Sequence, residues 1–144
     1  MYERFTHAEL LSPGRLIVVE DYLPLVKYPE CGSVVTFSGI VRQMEKGRLI
    51  DALHYEHHPD MALKELRRVL EATLEKFDVR RVVCVHRTGV VPVGEAAVLA
   101  LIGSDHRQAG FAACEYVLGE MKAVVPIWKT VAETSDTPQG SVRR

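Results

Sequence analysis

The stretch Ser104–Lys129, SDHRQAGFAACEYVLGEMKAVVPIWK, decides how this chain folds. Ser104 or Asp105 is expected to cap a helix, because either side chain can accept a hydrogen bond from a free backbone N–H. Small and apolar residues then recur with the helical period. Pro126 ends any helix that reaches it, and the apolar and β-branched residues around Trp128 favour a short strand. We therefore predict a helix followed directly by a strand.

Basic residues mark both ends of this predicted helix. His106 and Arg107 open it, where free N–H groups and the helix dipole favour an anion, and Lys122 and Lys129 flank the corner that follows it. Arg107 and Lys122 are separated by about 22 Å of helix at ~1.5 Å per residue. A small metabolite cannot reach both ends. The two ends therefore form either two sites or one site shared by two subunits, and we favour the second because a symmetric dimer brings unlike ends together.

The composition predicts an ordinary globular protein. The chain has 144 residues, of which 47% are hydrophobic and 26% are charged, with a net charge of −1. No global field attracts nucleic acid or a membrane, so an anion site must be a local basic cluster. Three cysteines without a CxxC spacing argue against both a disulfide framework and a thiolate metal site.

The organisation of the chain is predicted to be one domain over residues 1–144. We expect residues 1–15 to form an appended strand or arm and the polar residues 132–144 to form a flexible tail. The N-terminus has no secretory pattern, and no apolar run approaches the ~20 residues that span a bilayer. The cytoplasm is therefore the expected location.

Strand and helix patterns alternate along the rest of the chain. We predict strands at 16–19, 33–42, 49–56, 81–86 and 95–102, a short helix within 21–27, a loop at 89–94, and a helix at 61–77 capped by Pro59-Asp60. The strands at 33–42 and 49–56 are predicted to form a hairpin across a polar turn. The order of the elements favours an α+β fold with two helices packed on a largely antiparallel sheet.

Lys122 and Lys129 are the residues most suited to chemistry. Two ammonium groups held close disfavour each other's charge, and a lysine tuned in this way can act as a nucleophile, a base or an oxyanion partner. The alternative is that both are solvated surface lysines. Arg42 shares a predicted strand face with Ser38 and Ile40 and could hold a phosphate through a bidentate pair, or could form only a salt bridge at the rim.

The histidines allow a metal hypothesis that the sequence supports weakly. On a strand, His54, Glu56 and His58 would share one face and could supply a metal-ligand set. No further ligand spacing supports such a site, so we predict no metal and no resident cofactor. His86, beside Arg87, is interpreted as structural. No nucleophile elbow, phosphate-binding loop or dinucleotide fingerprint is present.

Five segments together resemble the large, catalytic subunit of molybdopterin synthase. They are VVTFSGIVR, LHYEHHPDM, VVCVHRTGVVPVGEAAV, SDHRQAGFAACEYVLGEMK and VPIWK, which cover about residues 31–131 in matching order and spacing. The first 15 residues have no clear counterpart. The tail also departs from the family pattern, because it has no second tryptophan, although its TPQG turn is retained and Arg143 or Arg144 could replace a late arginine.

The resemblance implies an α/β-hammerhead fold and a homodimer within a heterotetramer. Each end would bind a small ubiquitin-like sulfur-carrier subunit whose C-terminal Gly-Gly bears a thiocarboxylate. The carrier would donate sulfur to cyclic pyranopterin monophosphate to make the molybdopterin dithiolene, a transferase reaction of molybdenum cofactor biosynthesis.

The resemblance also implies residue roles. Lys122 and Lys129 would line the reacting centre, and the substrate would contact Arg42, Ile40, Val41, Thr130 and Val131, together with His106 and Arg107 of the neighbouring subunit. The alternative is a non-catalytic dimeric protein that binds a phosphorylated small molecule in the same basic pocket. A third interpretation, a structural dimer without a ligand, predicts that Arg42, Lys122 and Lys129 do not converge.

Overall fold

The computed structural model describes residues 3–132, which form nine strands, three α-helices and one 3-10 turn at Val19–Asp21. The strands are β1 (Phe5–Leu11), β2 (Ser33–Ile40), β3 (Met44–Glu45), β4 (Arg48–Leu49), β5 (Ala52–His57), β6 (Arg81–Arg87), β7 (Gly89–Pro92), β8 (Ala96–Ser104) and β9 (Ile127–Val131). The helices are α1 (Leu23–Val26), α2 (Ala62–Lys76) and α3 (Arg107–Val124).

The main sheet has four strands in the order β1-β6-β8-β2. β1 and β6 are parallel, and the other two neighbouring pairs are antiparallel. α2 and α3 pack on this sheet and bury its largest apolar cluster, which includes Leu66, Leu70, Val82, Ile102 and Val117. Burying such side chains provides most of the drive to fold. The predicted α+β class is confirmed.

A smaller antiparallel sheet, β7-β5-β9, carries the strand that follows α3. In its register Lys129 lies opposite Tyr55, and Trp128 lies opposite Glu56. Helix α3 ends at Val124, just before Pro126, as the proline predicts. The corner between α3 and β9 therefore joins the two sheets, and residues from both meet there.

The predicted hairpin between residues 33–42 and 49–56 is wrong. β2 ends at Ile40 and pairs with β8, whereas β5 pairs with β7 and β9 in the other sheet. The reversal belongs to the short pair β3–β4, whose turn uses Lys46 at φ 51° and Gly47 at φ 79°. The chain reverses inside this small hairpin and then enters the second sheet. β2 and β5, which flank the hairpin in sequence, are therefore not partners.

Three other local predictions fail at the boundaries of elements. Residues 16–19 do not form a strand and instead lead into the 3-10 turn, while the predicted loop at 89–94 contains β7. Pro59-Asp60 does not cap α2, because the backbone N–H groups of Asp60 and Met61 donate to His58 Nδ1 at 3.2 and 3.1 Å. His58 therefore provides the side-chain acceptor at this helix end.

The N-terminal part of the described chain joins the main sheet. Residues 5–11, which lie within the predicted appended strand or arm, form β1 at the edge of this sheet. The predicted flexible tail falls outside the described residues, except for Ala132. No helix within residues 3–132 is long and apolar enough to cross a membrane.

Candidate functional site

A cavity of about 450 Å³ lies where α3, β9, β5 and β2 meet. Its wall combines aromatic and aliphatic side chains with a few polar groups, which is the usual make-up of a ligand pocket. The lining residues are Phe37, Gly39, Ile40, Tyr55, His86, Ala97, Val98, Leu118, Met121, Lys122, Ile127, Trp128 and Lys129.

Lys122 and Lys129 both line this cavity, on either side of the α3–β9 corner. Lys122 lies in the last turn of α3, where a cation interacts favourably with the helix dipole. Lys129 lies in the middle of β9. Because the chain turns at Pro126, Lys122 and Lys129, which are seven residues apart in sequence, line the same cavity.

The two lysines differ in their electrostatic environment. Lys129 Nζ lies 3.3 Å from Glu45 Oε2, and the Glu45 side chain is only 13% exposed. Within residues 3–132, Lys122 has no carboxylate at ion-pairing distance. Glu45 thus ties Lys129 to the β3–β4 hairpin, whereas Lys122 has no such partner among the described residues.

The half-buried Tyr55 and the buried His86 form a part of the wall that sequence patterns did not identify as functional. Their rings meet edge to face with centroids 4.9 Å apart. Burial raises the pKa of Tyr55, and the negative charge of Glu45 adds to that effect. Burial lowers the pKa of His86, which favours the neutral imidazole at neutral pH. Strand β6 is buried on both faces, so no alternation of polar residues marks His86.

His106 and Arg107 lie at the opposite end of α3 and do not line this cavity. The 18 residues of α3 extend about 27 Å, at ~1.5 Å per residue. Both side chains are exposed. In one chain, the structure therefore keeps this basic pair apart from the two lysines.

Ser104 and Asp105, which precede His106, form hydrogen bonds through their side chains but do not cap α3 as predicted. His106 is the N-cap residue of α3, and no side chain caps this helix. The Asp105 carboxylate instead accepts a hydrogen bond of 2.7 Å from Tyr28 Oη and an ion pair of 3.4 Å from Arg80 Nη2. Ser104 Oγ donates to the His106 carbonyl at 2.6 Å.

The other predicted substrate-binding residues are distributed around the cavity rather than gathered inside it. Of these, Ile40 lines the wall and is 49% exposed, whereas Arg42 is exposed beyond the end of β2. Val41 and Val131 pack against an apolar cluster centred on Val91. Thr130 is exposed on β9 next to Lys129.

An apolar rim surrounds the cavity. Phe37, Ile40 and Trp128 are 40%, 49% and 50% exposed, although all three line the cavity. Clustered exposed aromatic and aliphatic side chains are characteristic of a surface that binds another molecule. The cavity therefore combines a cationic wall with an apolar entrance.

The metal-ligand set predicted as a possibility at His54, Glu56 and His58 does not assemble. His58 accepts backbone N–H groups at the start of α2. Within residues 3–132, no group of three or more His, Cys, Asp or Glu side chains is arranged to hold a metal ion.

Comparison with known proteins places the chain in a family. The model of the MoaE protein family matches residues 15–124. The molybdopterin synthase catalytic subunit of Arabidopsis thaliana is 37% identical over 88% of this chain and 64% of its own length. The corresponding protein of Vibrio cholerae is 38% identical over 78% of this chain and 75% of its own length.

A solved structure gives the same result. The crystal structure of molybdopterin synthase from Staphylococcus aureus superposes with a TM-score of 0.80 at 32% identity, covering 88% of this chain and 91% of that one. Because the family model matches most of the chain and these relatives are more than 30% identical to it, the chain belongs to the MoaE family, whose curated relatives are catalytic subunits of molybdopterin synthase.

Proposed function

We propose that this protein is the catalytic subunit of a molybdopterin synthase. It transfers sulfur from the thiocarboxylated C-terminus of a small carrier subunit to cyclic pyranopterin monophosphate, forming the dithiolene of molybdopterin. The observation that carries this proposal is the meeting of Lys122 and Lys129 in one cavity with an apolar entrance.

The lysine arrangement suits acyl and sulfur chemistry. Attack by the carrier's sulfur develops negative charge on the substrate oxygen that it displaces. The later addition of water, which releases the carrier as a carboxylate, develops negative charge on the acyl oxygen. A preorganised cation beside that oxygen stabilises the transition state. Lys122, which has no carboxylate partner among the described residues, suits this role next to the carrier's terminal glycine. Lys129, fixed by Glu45, suits substrate binding and proton transfer.

The anionic part of the substrate requires further donors. A cyclic phosphate is well matched by arginine and histidine side chains, which form charge-assisted hydrogen bonds. Ile40, which lines the cavity, and Arg42, Val41, Thr130 and Val131, which lie outside its lining, are the substrate-binding candidates from the same chain as the two lysines. His106 and Arg107 complete the set from a second copy of the chain, because α3 is too long for one chain to supply both ends.

The carrier subunit docks on the apolar rim. Phe37, Ile40 and Trp128 give this entrance the partly exposed aromatic and aliphatic character that partner-binding surfaces favour. A tail ending in Gly-Gly is narrow enough to pass between such side chains and reach Lys122. The resulting assembly is a homodimer flanked by two carriers, a heterotetramer that works in the cytoplasm.

A second candidate function is a non-catalytic dimeric protein that binds a phosphorylated small molecule. The cationic wall alone fits that alternative as well. Phosphate binding alone, however, does not require exposed aromatic and aliphatic side chains beside the cationic wall. The two functions differ in whether a carrier is consumed.

Reconstitution distinguishes them. The protein is mixed with a thiocarboxylated carrier and cyclic pyranopterin monophosphate, and the dithiolene product is measured, with a carrier ending in an ordinary carboxylate as the control. We expect product only with the thiocarboxylated carrier. Tight binding of the pterin without product from either carrier would favour the non-catalytic alternative.

A further inference from the structure

His86 presents a nitrogen of defined protonation to the cavity. Its Nδ1 lies 2.7 Å from the Arg87 carbonyl oxygen, which can only accept, so Nδ1 carries the proton. In the neutral ring Nε2 then bears a lone pair. Nε2 has no hydrogen-bond partner among residues 3–132, and the ring forms part of the cavity wall.

The orientation of this imidazole is fixed from two sides. The Arg87 carbonyl sets its tautomer, and the edge-to-face contact with Tyr55 sets the plane of its ring. His86 is only 6% exposed. A buried imidazole held in one tautomer, with its other nitrogen free, is arranged as a general base.

The proposed function creates a step that needs such a base. When the thiocarboxylate sulfur bonds to a substrate carbon, a carbon–oxygen bond of the substrate breaks and the oxygen leaves with the electron pair, so the carrier becomes linked to the substrate as a thioester. The carrier can leave as a carboxylate only after water adds to its acyl carbon. Water is a poor nucleophile unless a base takes its proton as the bond to carbon forms.

We propose that His86 is the proton acceptor that releases the carrier from this thioester, an inference that rests on the proposed function. The water oxygen bonds to the acyl carbon while Nε2 of His86 accepts one water proton. The carbon–sulfur bond then breaks, and its electron pair stays on the substrate sulfur as a thiolate. The new carboxylic acid loses its remaining proton to solvent, and no oxidant or reductant is needed.

The neighbours of His86 fit this role. Tyr55 and His57 face it from β5, Lys122 from α3 and Lys129 from β9, while β2 and β8 contribute apolar residues to the cavity. Burial is the main cause that lowers the pKa of His86, and the positive charge of His57 acts in the same direction. The base is therefore free at neutral pH and is lost only as the pH falls below its usual value of 6.5.

Single-turnover reconstitution with His86→Asn tests the inference. Asparagine keeps an N–H donor near the position of Nδ1 but has no basic nitrogen. We expect the carrier–substrate thioester to accumulate, detected by intact mass spectrometry, and release of the carrier carboxylate to slow by about 100-fold, the lower range for losing a general base. His54→Gln is the control, because His54 lies on the other face of β5 from Tyr55 and outside the cavity.

Each outcome decides the inference. Carrier release by His86→Asn at the wild-type rate would overturn it. If that variant does not fold, the pH profile of the wild-type protein decides instead: thioester hydrolysis that slows as acid protonates His86 supports the inference, and hydrolysis at a constant rate down to the lowest pH at which the protein stays folded refutes it. A wild-type protein that forms neither thioester nor product would reject the proposed function itself, and the role of His86 with it.

Discussion

The two ends of α3 carry similar basic residues but are built differently. At its C-terminal end, strands from two sheets enclose a cavity, and Lys122 and Lys129 share its wall. At its N-terminal end, His106 and Arg107 are exposed, yet the residue before them is fixed by Tyr28 and bonds to Arg80. The first, which we call the cavity end, is a partly open cavity formed within a single chain. The second, which we call the open end, presents a pair of exposed donors that we propose to complete the site of another copy.

This difference teaches how a short chain can recognise a substrate that needs many cations. A single helix cannot bend its ends together, and about 27 Å separates them. The proposed dimer would overcome this limit, because its symmetry would place the N-terminal end of α3 in one copy against the C-terminal end of α3 in the other, and would do so twice. The following predictions test whether the two ends belong to one site.

The largest effect is expected at the cavity end of α3, where Lys122 lies. Lys122→Ala should lower product formation by about 100- to 1,000-fold, the range found when an oxyanion donor is removed. The fold should survive because Lys122 is exposed. The assay is dithiolene formation together with circular dichroism, and Lys64→Ala on the exposed face of α2 is the matched control. Near-normal turnover would remove Lys122 from the reaction.

A smaller effect is expected at the open end. Arg107→Ala should weaken substrate binding by about 10- to 100-fold, because a hydrogen bond to a charged group contributes ~1.5–3 kcal/mol. The rate at saturating substrate should change less. Calorimetric titration with cyclic pyranopterin monophosphate measures this, and Arg67→Ala on α2 serves as the control. Unchanged affinity would separate the open end from the substrate.

Tyr28→Phe should loosen the support behind the open end. It removes the hydrogen bond from Tyr28 Oη to Asp105, which should cost about 1 kcal/mol of stability. Burial, followed by this bond, raises the pKa of Tyr28 above its usual value of 10.0, so its contribution is present below pH 10 and is lost as the pH rises further. Thermal unfolding of both proteins from pH 8 to 11 checks this. The prediction is contradicted if the wild-type protein loses no more thermal stability at alkaline pH than Tyr28→Phe does.

The smallest effect is expected from Glu45→Gln. This change removes the ion pair with Lys129, which is 46% exposed and therefore screened by solvent. Such pairs contribute ~0.2–1 kcal/mol, so substrate affinity should change by less than about fivefold. The change should shrink further at high salt, which titration in 0.05 and 0.5 M salt can measure. A loss as large as that of Arg107→Ala would show that Glu45 does more than hold a lysine.

How much the sequence predicts also differs between regions. The apolar period of α3 and the position of Pro126 are local features, so the helix, the strand after it and the shared placement of the two lysines follow from them. The partner of β2 could not be predicted in this way. Its pairing with β8 spans most of the chain, and an apolar strand pattern carries no information about which strand lies beside it.

His86 was not identified from the sequence for a similar reason. His86 lies in a strand whose residues are buried on both faces, so the pattern around it shows only a core strand. Its functional position depends on Tyr55 and Val98, which approach from two other strands. The local sequence predicts anion binding by His106 and Arg107. The hydrogen bond from Tyr28 and the ion pair from Arg80 to Asp105 could not be predicted, because they join segments that are distant in sequence.

Mixing Lys122→Ala with Arg107→Ala, at a substrate concentration too low to fill the weakened Arg107→Ala sites, tests the shared site most directly. In a mixed dimer, one site would carry both changes and the other would be intact. Random re-association makes half of the dimers mixed, so we predict recovery of about one quarter of wild-type dithiolene formation. Activity no higher than the mean of the two variants alone, in a mixture shown by native mass spectrometry to contain mixed dimers, would contradict a site built from two copies.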